Sequence, residues 1–353
     1  MIFDSPKMIA LREKYRVMEN YEVPEIVFLD RYDGYEGERK LLENLLTNVS
    51  SDKQNDWMGR LVNIEANQHI GAWFEIMLYG WLQEHFVVQV EPKVLGNFPD
   101  FVITFENNYL AIEARAFLKT PEERERKVNF DRIWSLLGSI EMPFLVKLKI
   151  KRLGVGIETA NFIQKVTKWL ISEADQNLNY QDNLGNVIEL SAKPKPALKK
   201  LSVTSSLGLR VNPDVLRAPL KEKANQHTAL RKAGYPYIIA IFLEPTELSA
   251  EEIVSAWIGK TIIVYNINTN QVIEEKFDQS GLHYFSHEIT HKSVTGTLVF
   301  KAYYDGPRKS RYLKCWYVQN PHANVSVDPT VLPVESRFVV VGNDVSNFLM
   351  KWL

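Results

Sequence analysis

The chain has 353 residues, 45% hydrophobic and 24% charged, with a formal net charge of -1. Such values describe a folded chain with one elaborated core or two domains, and exclude a disordered or fibrous one. Near-neutral charge also means that any nucleic-acid surface must be a local patch. The single cysteine, Cys315, rules out an internal disulfide or a multi-cysteine zinc site and fits a reducing cytoplasm. Residues 1–7 lack the basic and apolar regions of a signal peptide, and no apolar run approaches the roughly 18 residues that span a bilayer. A cytoplasmic protein that makes no membrane contact is expected.

Residues 1 to about 60 are charged and read as a helical N-terminal extension with a loop near 49–52. A stronger helix is expected over about 62–85, where Ile70, Trp73, Phe74, Met77, Leu78, Trp81 and Leu82 repeat at helical spacing. Residues 86–90 read as a short strand. Residues 98–105, a polar tip at 106–108 and residues 109–115 then form a β-hairpin pattern. Pro121 opens a helix to about 139, and 144–150 alternates apolar and basic residues as a half-buried strand does. A helix near 157–175, two strands near 186–206 and a lysine-rich helix near 214–233 follow. Residues 236–242 are an apolar run typical of a central buried strand. Beyond about 245 the chain reads as β-rich, with a helix over 249–258 and strands over 261–265 and 297–304.

The hairpin carries two acids where strands rarely do: Asp100 at its mouth and Glu113 within its second strand. Antiparallel strands joined by a short turn can bring both carboxylates to one end of a sheet. Hard cations such as Mg2+ (or Mn2+) take oxygen ligands, commonly one or two carboxylates with phosphate and water completing the shell. Asp100, Glu113 and the backbone carbonyl of Ala114 therefore form a candidate metal site. Arg115 has the parity of Glu113 and would point into the same space, towards phosphate. Glu75 borders the apolar stripe of the preceding helix, where a charge needs a partner or a metal. Gln68, one heptad earlier, lies near the same face and could bind phosphate or orient water.

Glu75 on a helix, Pro99-Asp100 and Glu113-Ala114-Arg115 resemble the PD-(D/E)xK nuclease superfamily. The resemblance implies an α/β (α+β) fold with a restriction-endonuclease-like core: a mixed central sheet flanked by helices. The resemblance covers residues 62–116 directly and implies a nuclease core (61–245) interrupted by an insertion at about 117–213, set between the helical N-terminal extension (1–60) and the β-rich C-terminal region (246–353) read from the residues. The activity implied is Mg2+-dependent hydrolysis of phosphodiesters in DNA, by an endo- or exonuclease of DNA processing or defence. In this family a lysine belongs at position 115, where this chain has Arg115, whose pKa is too high for a general base. Some members supply the lysine from another element. Here the start of the lysine-rich helix offers Lys221 or Lys223, which face different ways, with Lys223 preferred. Arg217 on the same helix is a further candidate for nucleic-acid contact.

Between 193 and 232 ten Lys or Arg stand against Asp214 and Glu222, an asymmetry that could track a nucleic-acid backbone, with Lys147, Lys149 and Lys151 extending it. His287-Glu288-Ile289-Thr290-His291 matches the HExxH zinc motif, but its β-branched surroundings disfavour the helix which that chemistry needs. The alternative to a nuclease is the same fold with a compromised site, binding nucleic acid or a protein partner. A homodimer is compatible with either reading.

Overall fold

The computed structural model describes residues 2–19, 23–105, 108–118, 121–172, 177–198, 200–206, 214–226, 228–244, 250–258, 261–265, 272–277, 284–285, 288–289, 291–341 and 349–352. The fold is mixed α/β, and the chain divides into two compact units. The first comprises Met1–Arg16, Pro24–Leu118 and Val211–Leu353; the second comprises Val17–Val23 and Lys119–Arg210.

The first unit is built on an eight-stranded sheet. Val87–Val90, Phe101–Phe105 and Asn108–Phe117 form an antiparallel meander. Asn108–Phe117 then pairs in parallel with Tyr237–Leu243, which pairs in parallel with Gly296–Asp305. Ser310–Gln319, Ser336–Val341 and Leu349–Trp352 complete the sheet. Tyr237–Leu243 is buried at every position, as a strand between two parallel neighbours with helices on both faces must be. On one face, the helix Ala66–Gln83 stacks Phe74 on Phe242 at 5.4 Å and sets Trp81 edge-on to Phe300 at 5.1 Å. On the other, Leu220 and Ala224 of the helix Asp214–Ala224 and Trp257 of Ala250–Trp257 pack with Ile239, Ile241 and Val299.

The helices of the first 60 residues belong to this unit. Pro6–Lys14 is N-capped by Ser5, whose hydroxyl accepts from the Met8 N–H at 3.3 Å. Glu36–Thr47 carries Glu38, fully buried, which accepts from Trp73 Nε1 at 2.8 Å and Arg311 Nη2 at 2.6 Å. Among the described residues no helix is long and apolar enough to cross a membrane.

Three elements differ from expectation. The helix expected near 214–233 is two, Asp214–Ala224 and Thr228–Lys232, because a turn intervenes: Asn225 N–H donates to Lys221 O and Gln226 N–H to Lys223 O. The β-rich C-terminal region contributes Ser310–Gln319 and Ser336–Val341 as interior strands of the main sheet, which its composition alone did not place. Across the HExxH motif, Glu288–Ile289 is a short strand paired with Tyr284–Phe285, and His291 has φ 54°. The described residues of the motif are not helical; His287 and Thr290 lie outside the described residues.

The second unit has its own four-stranded sheet, ordered Leu178–Gln181, Val187–Pro194, Phe144–Arg152 and Ser202–Ser206. Phe162, Val166 and Trp169 of the helix Thr159–Ser172 pack with Val146, Leu148, Ile188 and Leu190 to form a separate core. The alternation expected in residues 144–150 holds, with Lys147 and Lys149 exposed. Lys149 and Lys151 both approach Glu189 Oε2, at 3.6 and 2.9 Å. The basic stretch 193–232 is divided between the units: Lys193, Lys195 and Lys200 fall in the second, and Arg217, Lys221, Lys223, Arg231 and Lys232 in the first. Lys199 and Arg210 lie outside the described residues.

Candidate active site

Hairpin register places the two acids. Phe101 pairs with Ile112 in the last cross-strand pair at the open end, while the second strand runs on to Phe117. The residues after Ile112 therefore lack a strand neighbour on the hairpin side. Asp100, one residue before the first strand, fills part of that gap, its Oδ2 accepting from the Ala114 N–H at 2.8 Å. In return Glu113 Oε1 accepts from the Asp100 N–H at 3.2 Å. Each carboxylate is thus tied to the other's backbone, and the pair is held at the mouth of the hairpin.

A cation arrives from the helix Asp214–Ala224. Glu113 shares its sheet face with Ile239, the face this helix covers. Lys223 Nζ lies 2.7 Å from Glu113 Oε2 and 3.9 Å from Asp100 Oδ2. The Tyr237 hydroxyl fixes the end of the helix by donating to the Lys223 carbonyl at 2.9 Å. Of the two lysines weighed from the sequence, Lys223 reaches the carboxylates and Lys221 is exposed. Arg115 projects to the same face and meets the exposed Glu222 at 3.3 Å. Arg217 sits on the same helix but is not part of the cleft wall described below.

No family model, curated protein or solved structure matches the chain. Chemistry at the site itself must carry the functional reading.

Asp100, Lys223, Ala114 and Arg115 line a cleft of about 460 Å³, and Glu75, Gln68 and Arg60 line it too. Glu75 comes from the helix on the opposite sheet face and is already engaged. Its carboxylate takes both arms of the Arg60 guanidinium, at 2.8 and 2.6 Å, and the Trp57 indole N–H at 2.7 Å. Lys53 lies 3.6 Å away. Burial would raise the Glu75 carboxyl; the Arg60 hydrogen bonds and charge, with Lys53 and Trp57, outweigh it and hold Glu75 below the usual carboxylate range. Arg60 was not singled out from the sequence. Its one local signal is Asp56, four residues earlier on the helix Ser51–Leu61, and its pairing with Glu75 is tertiary.

Asp100 behaves differently. Burial and then the Glu113 charge push it up to about 8, against the pull of Lys223. Two carboxylates so close leave a negative field that one ammonium relieves in part. The oxygens concerned both lie within 4 Å of Lys223 Nζ, so their separation cannot exceed the sum of those distances. Hard oxygen donors in such a pair fit Mg2+ or Mn2+, which need one or two carboxylates. Among the described residues no group of three or more His, Cys, Asp or Glu is gathered for a metal.

Proposed function

We propose that this chain is a metal-dependent nuclease that hydrolyses phosphodiester bonds in DNA. The observation that carries the reading is the Asp100–Glu113–Lys223 cluster: two carboxylates from a hairpin mouth meet one lysine from a later helix, and Asp100 and Lys223 line a cleft. Element order adds support. With residues 119–210 set aside as an insertion, a helix, a three-stranded meander, a second helix and a parallel fourth strand follow in the order that the resemblance to the PD-(D/E)xK superfamily implies. In that reading Lys223 stands in for the lysine that Arg115 replaces.

Asp100 and Glu113, with the Ala114 carbonyl, would hold Mg2+ or Mn2+, which when bound polarises a phosphodiester and acidifies an attacking water. Lys223 supplies a buried positive charge beside the reacting phosphate, where preorganised charge acts most strongly. Arg115, released from the weakly held Glu222, presents a planar fork to phosphate oxygens but abstracts no proton. Gln68 offers an amide at the cleft wall to a phosphate or a water. The buried, lone Cys315 is compatible with a reducing compartment such as the cytoplasm.

The test is incubation of the purified chain with supercoiled and linear DNA and Mg2+ or Mn2+, beside Asp100→Ala. Metal-dependent cutting by the wild type that vanishes in the variant supports the reading. Cutting that survives the change refutes the site, and binding without cutting would make the chain a nucleic-acid-binding module.

A further inference from the structure

Glu75 is the acid in the cleft least able to take a metal. Its Oε2 alone accepts from Arg60 Nη2 and Trp57 Nε1 and faces Lys53. Two cations already surround one carboxylate. Arg60, by contrast, has capacity to spare. Of its five N–H donors, three are taken up by Glu75 and Asp56, the latter at 3.0 Å. Its Nε–H is buried away from the cleft with no hydrogen-bond partner, which leaves one Nη1 N–H for a ligand, and Arg60 lines the cleft beside Asn67 and Gln68 from the first turn of the next helix. A guanidinium locked in plane by Glu75 and Asp56, with one Nη1 N–H left over, can take a further anion, and a phosphate oxygen fits it.

We infer that Arg60 forms a second phosphate subsite of the cleft, binding a DNA phosphate next to the one at Asp100 and Lys223, and that Glu75 is a positioning residue for Arg60 and not a metal ligand. The nuclease reading enters only in naming the phosphate as that of DNA. Glu75 fixes the guanidinium in plane, and Lys53 and Trp57 fix Glu75. Lys53 is in turn held by Asp56 at 3.3 Å and by Glu91. The network thus anchors one substrate-facing cation to the helices on either side of residue 63.

Two titrations of the full chain decide this. The first measures binding of a fluorescent duplex of about 20 base pairs by anisotropy, in EDTA and over a range of salt. The second measures Mn2+ binding by calorimetry without DNA. Arg60→Ala and Glu75→Gln should each weaken DNA binding by about ten-fold and lower the salt slope by about one, and the double variant should be no worse than Arg60→Ala. Mn2+ affinity should stay within about two-fold in all three, whereas Asp100→Asn loses it. Arg60→Lys keeps an ion pair with Glu75 but not the fork. It should melt like the wild type and still bind DNA several-fold more weakly, which separates lost contact from lost fold. Loss of Mn2+ affinity in Glu75→Gln to the extent seen in Asp100→Asn, or unchanged DNA affinity in Arg60→Ala, overturns the inference. A chain that binds DNA through Arg60 yet cuts none upholds it and removes the nuclease reading; one that cuts DNA with Arg60→Ala bound at wild-type affinity does the reverse.

Discussion

Replacing Lys223 by Met isolates the charge balance of the site. Glu113 is 3% exposed in its side chain and Lys223 12%, so the pair at 2.7 Å is shielded from solvent. Removing one member of a buried pair leaves an uncompensated charge and costs about 3–5 kcal/mol. For a folded unit of some 250 residues that corresponds to a fall in Tm of roughly 10 °C in EDTA. Divalent metal should reverse much of it, because the ammonium no longer competes for the carboxylates. At a Mg2+ concentration of about 100 times Kd, binding returns about 2.7 kcal/mol. The assay is thermal unfolding followed by tryptophan fluorescence, for wild type and Lys223→Met, in EDTA and in a Mg2+ series. A Tm drop below about 2 °C in EDTA, or an equal Mg2+ shift in both proteins, would refute the reasoning.

Asp100→Asn keeps an oxygen to accept the Ala114 N–H, so its Tm should hold while metal-dependent cleavage falls by about 100-fold or more in a plasmid-nicking assay. His69 provides a pH signature. Burial depresses its pKa, a shift that Arg311 reinforces and that the Leu61 carbonyl, Glu25 and Glu38 oppose, while its Nε2 has no hydrogen-bond partner. Above about pH 6.5 the ring is neutral in both states and contributes nothing; below it the unfolded chain protonates first and stability is lost. Wild type should therefore lose more Tm than His69→Gln between pH 7.5 and 5.5 by calorimetry, by up to roughly 3–5 °C, and parallel pH curves would contradict this. In the second unit a Cβ at Gly154 would stand 2.0 Å from the Leu184 carbonyl oxygen, which is backbone and cannot swing aside. Gly154→Ala should cost about 1–3 kcal/mol and open residues 119–210 to limited proteolysis; an unchanged digestion pattern would count against it.

What could be read from the residues follows the range over which each signal acts. The helix Ala66–Gln83 and the hairpin announced themselves through local periodicity, and the two acids stood out because they interrupt it. Lys223 could be narrowed to one of two by the opposed directions of residues two apart on a helix. Arg60 was invisible because its significance depends on Glu75, fifteen residues away across a helix junction. Ser310–Gln319 lacks a clean alternation: Cys315, Tyr317 and Val318 are all buried, as befits an interior strand with covered faces. Counting Lys and Arg over 193–232 assumed that neighbours in sequence share a surface. That assumption breaks where the chain passes from one compact unit to the other.

The carboxylates and the lysine of the site lie on opposite sides of the second unit in the chain, with Asp100 and Glu113 before residue 119 and Lys223 after residue 210. Synthesis on the ribosome therefore delivers the acids first and must make about 110 further residues after Glu113 to reach Lys223 and about 130 to complete the strand Tyr237–Leu243. At roughly 5–20 residues per second that is a delay of about 6–26 s. During it Glu113 has neither its counter-ion nor its parallel neighbour. The order of the segments thus completes the Asp100–Glu113–Lys223 cluster last.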